Sequence, residues 1–107
     1  MMENNVDTNA TDAIHHVAIQ VKDIQRAINW YQDNFNTKVT YQDESWALLK
    51  FNNLSLALVI PEQHPVHIAI ENPEAEKYGQ LTKHRDGTES IYIKDSEGNS
   101  IEIMKKH

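Results

Sequence analysis

HHVAIQV, residues 15–21, is the most informative segment of this chain of 107 residues. Its side chains alternate in character: Val17, Ile19 and Val21 fall on one face of an extended strand, and His16 falls on the other. Alternation over this length is typical of a β-strand with one buried face. The segment therefore predicts a strand that presents His16 on the side opposite its β-branched residues.

The same pattern returns later in the chain, which indicates an internal duplication. HVAIQ, residues 16–20, matches HIAIE, residues 67–71, at an offset of 51. SLAL, residues 55–58, matches SIEI, residues 100–103, at an offset of 45, so the second copy lacks six residues between its first strand and its hairpin. Two similar βαβββ units, the second one shortened, are the simplest account of this pattern.

The order of predicted elements favours an α+β domain. Asp23 stands at an N-cap position and apolar residues follow at helical spacing, which predicts a helix over 23–35. Further strands are predicted over 38–42, 45–51, 54–60, 66–71, 88–94 and 99–104, with a short helical stretch after Pro73. The expected organisation is a flexible leader over 1–12 and one domain over 13–107, with a first module over 13–61 and a second over 65–105.

The composition fits a globular domain and excludes several classes of function. Hydrophobic residues make up 39% of the chain and charged residues 24%, close to the globular average. The net charge of −6 disfavours binding to a nucleic-acid backbone. There are no cysteines, which excludes disulfides, zinc thiolate sites and thiol catalysis. No apolar run reaches the length of a membrane span, and we expect a cytoplasmic protein.

The duplication places two histidines at equivalent positions. His16 and His67 occupy the same place in their strands, and Glu102 lies on the last strand of the second unit. These three side chains converge if the two units curl around a shared cleft. Two imidazoles and one carboxylate suit a divalent ion such as Fe²⁺, Mn²⁺, Co²⁺, Ni²⁺ or Zn²⁺ and leave positions open for a substrate. The competing interpretation is that each histidine is an ordinary core or surface residue.

A family resemblance rests on three motifs: HHVAIQVKDIQRAINWY near the start, HIAIE in the middle and YIKDSEGNSIEI near the end. Together they span about residues 13–105, and the chain resembles the vicinal oxygen chelate superfamily. That superfamily includes glyoxalase I, bleomycin resistance proteins and extradiol dioxygenases. The resemblance implies paired βαβββ modules in a cup-shaped mixed sheet around a metal ion, with the ligand positions at His16, His67 and Glu102.

Departures from the family patterns narrow the subfamily. Glyoxalase I has a fourth ligand, a glutamate, where this chain has Ala57, so the chain is not expected to be a glyoxalase I proper. The extradiol dioxygenase signature is similar to the run from Thr82 to Glu102, and it would place His84 and Tyr92 near the substrate. Bleomycin-binding members lack the metal ligands, whereas this chain keeps all three.

Strand parity predicts which side chains line the cup. Residues 44–45 match residues 89–90 at an offset of 45, which aligns Ala47 with Tyr92. The pocket residues expected on this basis and from the resemblance are Gln20, Ala47, Leu49, Phe51, Ala57, Val59 and His84.

Two residues on the ligand side, Glu71 and Tyr92, are the candidate groups for acid–base catalysis. His15 has the wrong parity and His64 lies in a loop, so neither is expected in the site. The leading hypothesis is a small metal-dependent enzyme that acts on a small bidentate oxygen-bearing substrate, by lyase, isomerase or dioxygenase chemistry. The alternative is a non-catalytic protein that binds a small molecule in the same cup. We expect a homodimer, since the shortened second module leaves apolar sheet surface less covered.

Overall fold

A computed structural model describes residues 11–106 of the chain. Residues 1–10 of the predicted leader, and His107 at the end of the predicted domain, lie outside the described residues. The elements in chain order are β1 (Ala13–Gln20), α1 (Ile24–Asn34), β2 (Lys38–Gln42), β3 (Trp46–Lys50), β4 (Ser55–Val59), β5 (His67–Asn72), a short 3-10 helix (Ala75–Tyr78), β6 (Thr82–Lys83), β7 (Glu89–Lys94) and β8 (Ser100–Lys105).

All eight strands form one curled sheet in the order β2-β3-β4-β1-β5-β8-β7-β6. The first four strands in this order come from the first module and the last four from the second. Within each module the first strand pairs in parallel with the last, β1 with β4 and β5 with β8. An antiparallel pair, β1 with β5, joins the modules. The predicted α+β fold with two similar modules and a mixed sheet is confirmed.

The helix of the first module covers the outer face of its strands. Asp23 caps α1 by accepting a hydrogen bond from the backbone N–H of Arg26 at 3.0 Å. The buried side of α1 presents Ile24 and Ile28 to the sheet, where they pack on Ala47, Leu49 and Leu58. This packing forms the main apolar core and places α1 on the side of the sheet away from His16.

The second module has only the short 3-10 helix where the first has α1, as the shorter repeat predicted. Gly79 ends this helix with φ of +141°, and a Cβ there would lie 2.5 Å from Cδ1 of Ile91. Glycine is therefore required for the turn to pack against β7. Neither helix within residues 11–106 has the length and apolar character that a membrane span requires.

Three residues predicted to line the cup, Ala47, Leu49 and Phe51, face α1 instead. Ala47 and Leu49 are fully buried in the helix–sheet core, and Phe51 packs against that core. The neighbouring residues Trp46 and Leu48 point to the inner side of the sheet. The predicted parity of β3 is therefore wrong by one residue.

The cause of this error is a difference between the two hairpin turns. Leu48 pairs with Ala57 across the first hairpin, whereas Tyr92 pairs with Glu102 across the second. The second turn thus contains one residue more, and Leu48 is the true counterpart of Tyr92. The match of residues 44–45 with 89–90 is misleading for this reason. Because successive residues of a strand point to opposite faces, a slip of one residue reverses every side chain of β3.

Candidate metal centre

The triad, defined as His16, His67 and Glu102, comes together on three neighbouring strands. Ala69 of β5 pairs with His16 on β1 and with Glu102 on β8, and its small side chain leaves space between them. His16 Nε2 lies 3.2 Å from Glu102 Oε1, and His67 Nε2 lies 3.1 Å from the same oxygen. The two Nε2 atoms are 3.3 Å apart, and all three residues are buried.

These separations match those between ligand atoms that share one metal ion. Ligand atoms at about 2.0–2.1 Å from an ion are about 2.9 Å apart at octahedral angles and about 3.3 Å apart at tetrahedral angles. The distances within the triad run from 3.1 to 3.3 Å. An ion could therefore be bound by these three atoms with only small side-chain adjustments.

Hydrogen bonding around His67 determines which nitrogen is free. Its Nδ1 lies 2.9 Å from the carbonyl oxygen of Pro65. Because a carbonyl oxygen only accepts, Nδ1 carries the proton, and a neutral ring then has its lone pair on Nε2. That lone pair faces Glu102 Oε1, which is itself an acceptor. A divalent cation between two acceptors so close together would satisfy both of them.

The first histidine of the segment, His15, also belongs to the site. The pairing of β1 with β5 shifts register between Ile14 and His16, so His15 is the extra residue of a β-bulge. Its Nδ1 lies 2.8 Å from Nδ1 of His16. Burial and the neighbouring His16 lower the pKa of His15, which favours the neutral ring. His15 therefore lines the central cavity, contrary to its predicted parity, since a bulge interrupts strict alternation.

Glu102 is held as a carboxylate. Burial alone would raise its pKa, but the close contacts with His16 and His67 and the hydrogen bond from Ser90 outweigh burial and hold the pKa well below its usual range. Ser90 donates from Oγ to Glu102 Oε2 at 2.6 Å, and His84 Nε2 lies 3.5 Å from the same oxygen. The two oxygens of Glu102 thus have different neighbours, with Oε1 facing the imidazoles of the triad.

Tyr92 places its hydroxyl beside the triad. Its Oη lies 3.3 Å from Nε2 of His67, and the two rings meet edge to face with centroids 5.0 Å apart. Burial and the charge of Glu102 raise the pKa of Tyr92. The phenol therefore stays protonated and can donate a hydrogen bond into the site.

The triad lines one open cavity, called the central cavity below. Its volume is about 90 Å³, smaller than a typical site for a drug-sized ligand, so it fits only a small molecule or one end of a larger molecule. Its apolar wall consists of Trp46, Leu48, Ala57, Val59 and Met104. Besides the triad, its polar lining consists of His15, His64, His84, Arg85, Asp86, Thr88 and Tyr92. One side of the cavity is thus apolar, and the other offers imidazoles and hydrogen-bond donors.

The predicted site residues divide into two groups. Ala57, Val59, His84 and Tyr92 line the central cavity. Gln20 shares the face of His16, but it is exposed and donates from Nε2 to the carbonyl oxygen of His64 at 3.1 Å. It is not among the residues that line the cavity.

Glu71 also lies outside the central cavity. It is four residues beyond His67 on β5, which corresponds to about 13 Å along a strand. There it lines a separate surface groove that also includes Lys50 and Phe51. The shared face predicted for Glu71 and His67 does not bring Glu71 to the triad, because parity fixes the side of a sheet and not the distance along it.

Several loop residues that line the central cavity were not predicted from the sequence. His64 lies in the loop before β5, and Arg85, Asp86 and Thr88 lie between β6 and β7. Burial and the nearby His67 lower the pKa of His64. Loops show no periodicity, so no pattern of the chain places these residues at a site. The one feature of the sequence that could have indicated His64 was the number of histidines, six in the chain.

The second module reaches back to the first at the rim of the central cavity. Arg85 Nη2 lies 3.1 Å from Asp43 Oδ2 and donates to Ser45 Oγ at 2.8 Å. Asp43 also accepts from Tyr41 Oη at 2.6 Å, and the Tyr41 ring stacks on Trp46 with centroids 4.3 Å apart. Burial raises the pKa of Asp43, but these hydrogen bonds and those from nearby backbone N–H groups lower it to about 2.

A family model matches more than half of the chain. The model is that of the Glyoxalase/Bleomycin resistance protein/Dioxygenase superfamily, and the match covers residues 13–81. The matched part includes His16, His67 and the whole first module. No curated protein matches the sequence.

Solved structures share the fold at low sequence identity. A hypothetical protein from Bacillus halodurans is 16% identical, with a TM-score of 0.75 over 91% of this chain and 96% of that chain. Methylmalonyl-CoA epimerase from Mycobacterium tuberculosis is 17% identical, with a TM-score of 0.70 over 89% of this chain and 88% of that chain. A glyoxalase/bleomycin resistance protein/dioxygenase superfamily member from Vibrio splendidus is 10% identical, with a TM-score of 0.63 over 90% and 100%. At these identities the likeness establishes the fold alone.

Proposed function

The chain belongs to the Glyoxalase/Bleomycin resistance protein/Dioxygenase superfamily, and we propose that it is a small enzyme dependent on one divalent metal ion. His16, His67 and Glu102 are the proposed ligands. The observation that carries the proposal is the meeting of His67 Nε2 and Glu102 Oε1, two acceptor atoms 3.1 Å apart in a buried place. A divalent cation satisfies both of them and the nearby Nε2 of His16.

The proposed substrate is a small molecule with an apolar body and two oxygen atoms that can bind a metal. The small volume of the central cavity and its division into an apolar wall and a polar wall support this class of substrate. When bound, a divalent ion supplies Lewis acidity toward substrate oxygens, and an iron ion also supplies access to oxygen chemistry. Lyase or isomerase chemistry and dioxygenase chemistry are both compatible with this donor set.

Among the side chains at the site, Tyr92 is the proposed hydrogen-bond donor to a substrate. Its protonated hydroxyl lies beside His67 and reaches into the central cavity. Glu71 is no longer proposed for acid–base catalysis, because it lines a different groove. The remaining carboxylate of the cavity lining within residues 11–106 is Asp86, in the exposed turn between β6 and β7.

The cavity lining is poor in carboxylates, which leaves imidazoles such as His15 and His64 as its other bases, and this scarcity favours one second candidate function. Within the described residues, the cavity lining offers Glu102 and Asp86 as its carboxylates, and Glu102 is engaged by the imidazoles. A protein that binds a small molecule in the central cavity without converting it needs no such base. Retention of ligand affinity without turnover in the metal-loaded protein would support this second candidate.

Metal content tests the proposal directly. Elemental analysis of the untagged protein, after reconstitution with Fe²⁺, Mn²⁺, Co²⁺, Ni²⁺ or Zn²⁺ in turn, should give about one equivalent for at least one ion. His16→Ala and Glu102→Ala should lose it. His64→Ala is the matched control, because it removes an imidazole from the same cavity but outside the triad. Folded wild-type protein that takes up none of these ions would overturn the proposal.

A homodimer is also proposed. On the outer face of the sheet, Val17, Ile68 and Ile101 form a cross-strand row that no residue of α1 buries. Ile68 is 38% exposed, and Ile14 beside it is 48% exposed. Covering such a row would remove apolar surface from water. Light scattering coupled to size exclusion should report twice the monomer mass, and a monomer at all concentrations would refute this expectation.

A further inference from the structure

Ser90 connects Glu102 to a third imidazole of the central cavity. Ser90 lies on β7 and is 1% exposed. Its Oγ lies 2.6 Å from Glu102 Oε2 and 2.5 Å from Nε2 of His84. His84 sits in the turn between β6 and β7 with a quarter of its side chain exposed. These contacts involve only the oxygen of Glu102 that points away from the triad histidines.

The direction of these hydrogen bonds follows from the number of protons. Ser90 Oγ has one proton, and the Glu102 carboxylate can only accept, so Ser90 donates to Oε2. The Oγ atom then receives a hydrogen bond from Nε2–H of His84. The result is a directed chain in which His84 donates to Ser90 and Ser90 donates to Glu102. Each member fixes the orientation of the next.

We propose that Ser90 is a positioning residue that occupies Oε2 of Glu102, so that the carboxylate offers only Oε1 to a metal ion. This inference rests on the proposed function of the triad as metal ligands. His84 keeps the Ser90 hydroxyl in its donating orientation. A carboxylate that binds through one oxygen leaves one more position free for a substrate than a carboxylate that binds through two.

The arrangement expected for Glu102 without a donor at Oε2 explains the proposed role of Ser90. Without a donor at Oε2, this buried oxygen lacks a hydrogen-bond partner of full strength, since His84 is 3.5 Å away. The carboxylate could then rotate and bring both oxygens toward the ion. Partners of this kind commonly change metal affinity by about 10- to 100-fold when they are removed.

The test uses the full chain and Co²⁺, whose visible absorption reports its coordination number. Wild-type protein, Ser90→Ala and Ser90→Thr are titrated with Co²⁺, and Zn²⁺ affinity is measured by competition with a chelator. We expect about 10- to 100-fold weaker Zn²⁺ binding for Ser90→Ala, together with a changed Co²⁺ spectrum. Ser90→Thr keeps the hydroxyl and should restore the wild-type spectrum. Ser100→Ala, on the adjacent strand and bonded to Lys94, is the matched control and should change neither.

A second pair of variants keeps the test decisive if Ser90→Ala does not fold. His84→Ala removes the donor to Ser90, whereas His84→Gln keeps an N–H donor in the same turn. His84→Ala should shift the Co²⁺ spectrum in the same direction as Ser90→Ala, and His84→Gln should shift it less.

The possible results separate the two proposals. Wild-type protein that binds neither Co²⁺ nor Zn²⁺ would overturn this inference, and failure to take up any of the five ions tested above would overturn the proposed function as well. Wild-type protein that binds both ions, with Ser90→Ala unchanged in affinity and spectrum, would overturn only the role of Ser90. If Ser90→Ala is unfolded, equal spectra for wild type and His84→Ala would do the same.

Discussion

The imidazoles of His15 and His16, neighbours in the chain, meet with their Nδ1 atoms 2.8 Å apart on the same side of the sheet. Regular strand geometry would send them to opposite faces. The β-bulge between Ile14 and His16 brings them together. When the proton of this contact lies on Nδ1 of His16, His15 accepts it, and Nε2 of His16 keeps a lone pair directed at Glu102. The bulge in the pairing of β1 with β5 thus also sets the contact that orients His16.

Replacing His15 should weaken metal binding without removing it. His15→Phe keeps a ring at the bulge but removes the acceptor for His16 Nδ1–H. We expect Zn²⁺ affinity to fall by about tenfold, the low end of the range for residues that orient a ligand. Chelator competition measures the change. His64→Phe is the control, and an equal loss in both variants would show that the effect is not specific to His15.

Truncation of two adjacent leucines should lower stability to different degrees. Leu49 is fully buried beneath α1, so Leu49→Ala should lower the free energy of unfolding by about 2–5 kcal/mol. Leu48 lines the central cavity, so Leu48→Ala should cost less stability and enlarge the cavity. Urea denaturation of both variants measures the difference. A larger loss for Leu48→Ala would contradict the observed parity of β3.

Asp43 should stabilise the protein in a pH-dependent way. Asp43→Asn removes charge from a group that accepts from Tyr41, Ser45 and Trp46, and it should cost about 1–3 kcal/mol at pH 7. The folded-state pKa of about 2 lies below the ordinary 3.8. The contribution is therefore complete above about pH 4 and is lost as pH falls toward 2. Urea denaturation at pH 7, 4 and 3 should show the gap between wild type and variant shrinking only at the lowest pH.

Metal binding should stabilise the protein, because the triad takes ligands from both modules. At a metal concentration of 100 times Kd, the gain is about 2.7 kcal/mol, which corresponds to a rise in Tm of about 10 °C. A chelator should reverse the rise, and Glu102→Ala should show none. Equal stabilisation of wild type and Glu102→Ala would place the ion elsewhere.

The fold and the triad could be predicted from the sequence because both depend on spacing within strands. The alternation around His16 and its repetition at His67 are local patterns, and Glu102 follows from the second hairpin. The face on which each β3 side chain lies could not be predicted, since one extra residue in a turn exchanges the faces of Leu48 and Ala47. The bulge at His15 could not be predicted either, because it does not alter the alternation of apolar and polar residues around His16.

The contact of Arg85 with Asp43 at the rim of the central cavity could not be predicted from the sequence for a different reason. Arg85 and Asp43 are separated by more than forty residues and meet only because the sheet curls. No hydrophobic pattern specifies where two such loops approach each other. Glu71 illustrates the same limit, because its side of the sheet was predictable and its distance from the triad was not.

The contact between Arg85 and Asp43 also bears on how quickly a ligand enters and leaves. The guanidinium of Arg85 bridges the loops that follow the two edge strands, β2 and β6, at the rim of the central cavity. The Arg85 side chain is 62% exposed to water. Dissolved salt screens such an exposed pair, whereas it has little effect on the buried triad. We therefore expect added salt to raise the association and dissociation rates of a ligand together. Their ratio, which sets the affinity, should change little.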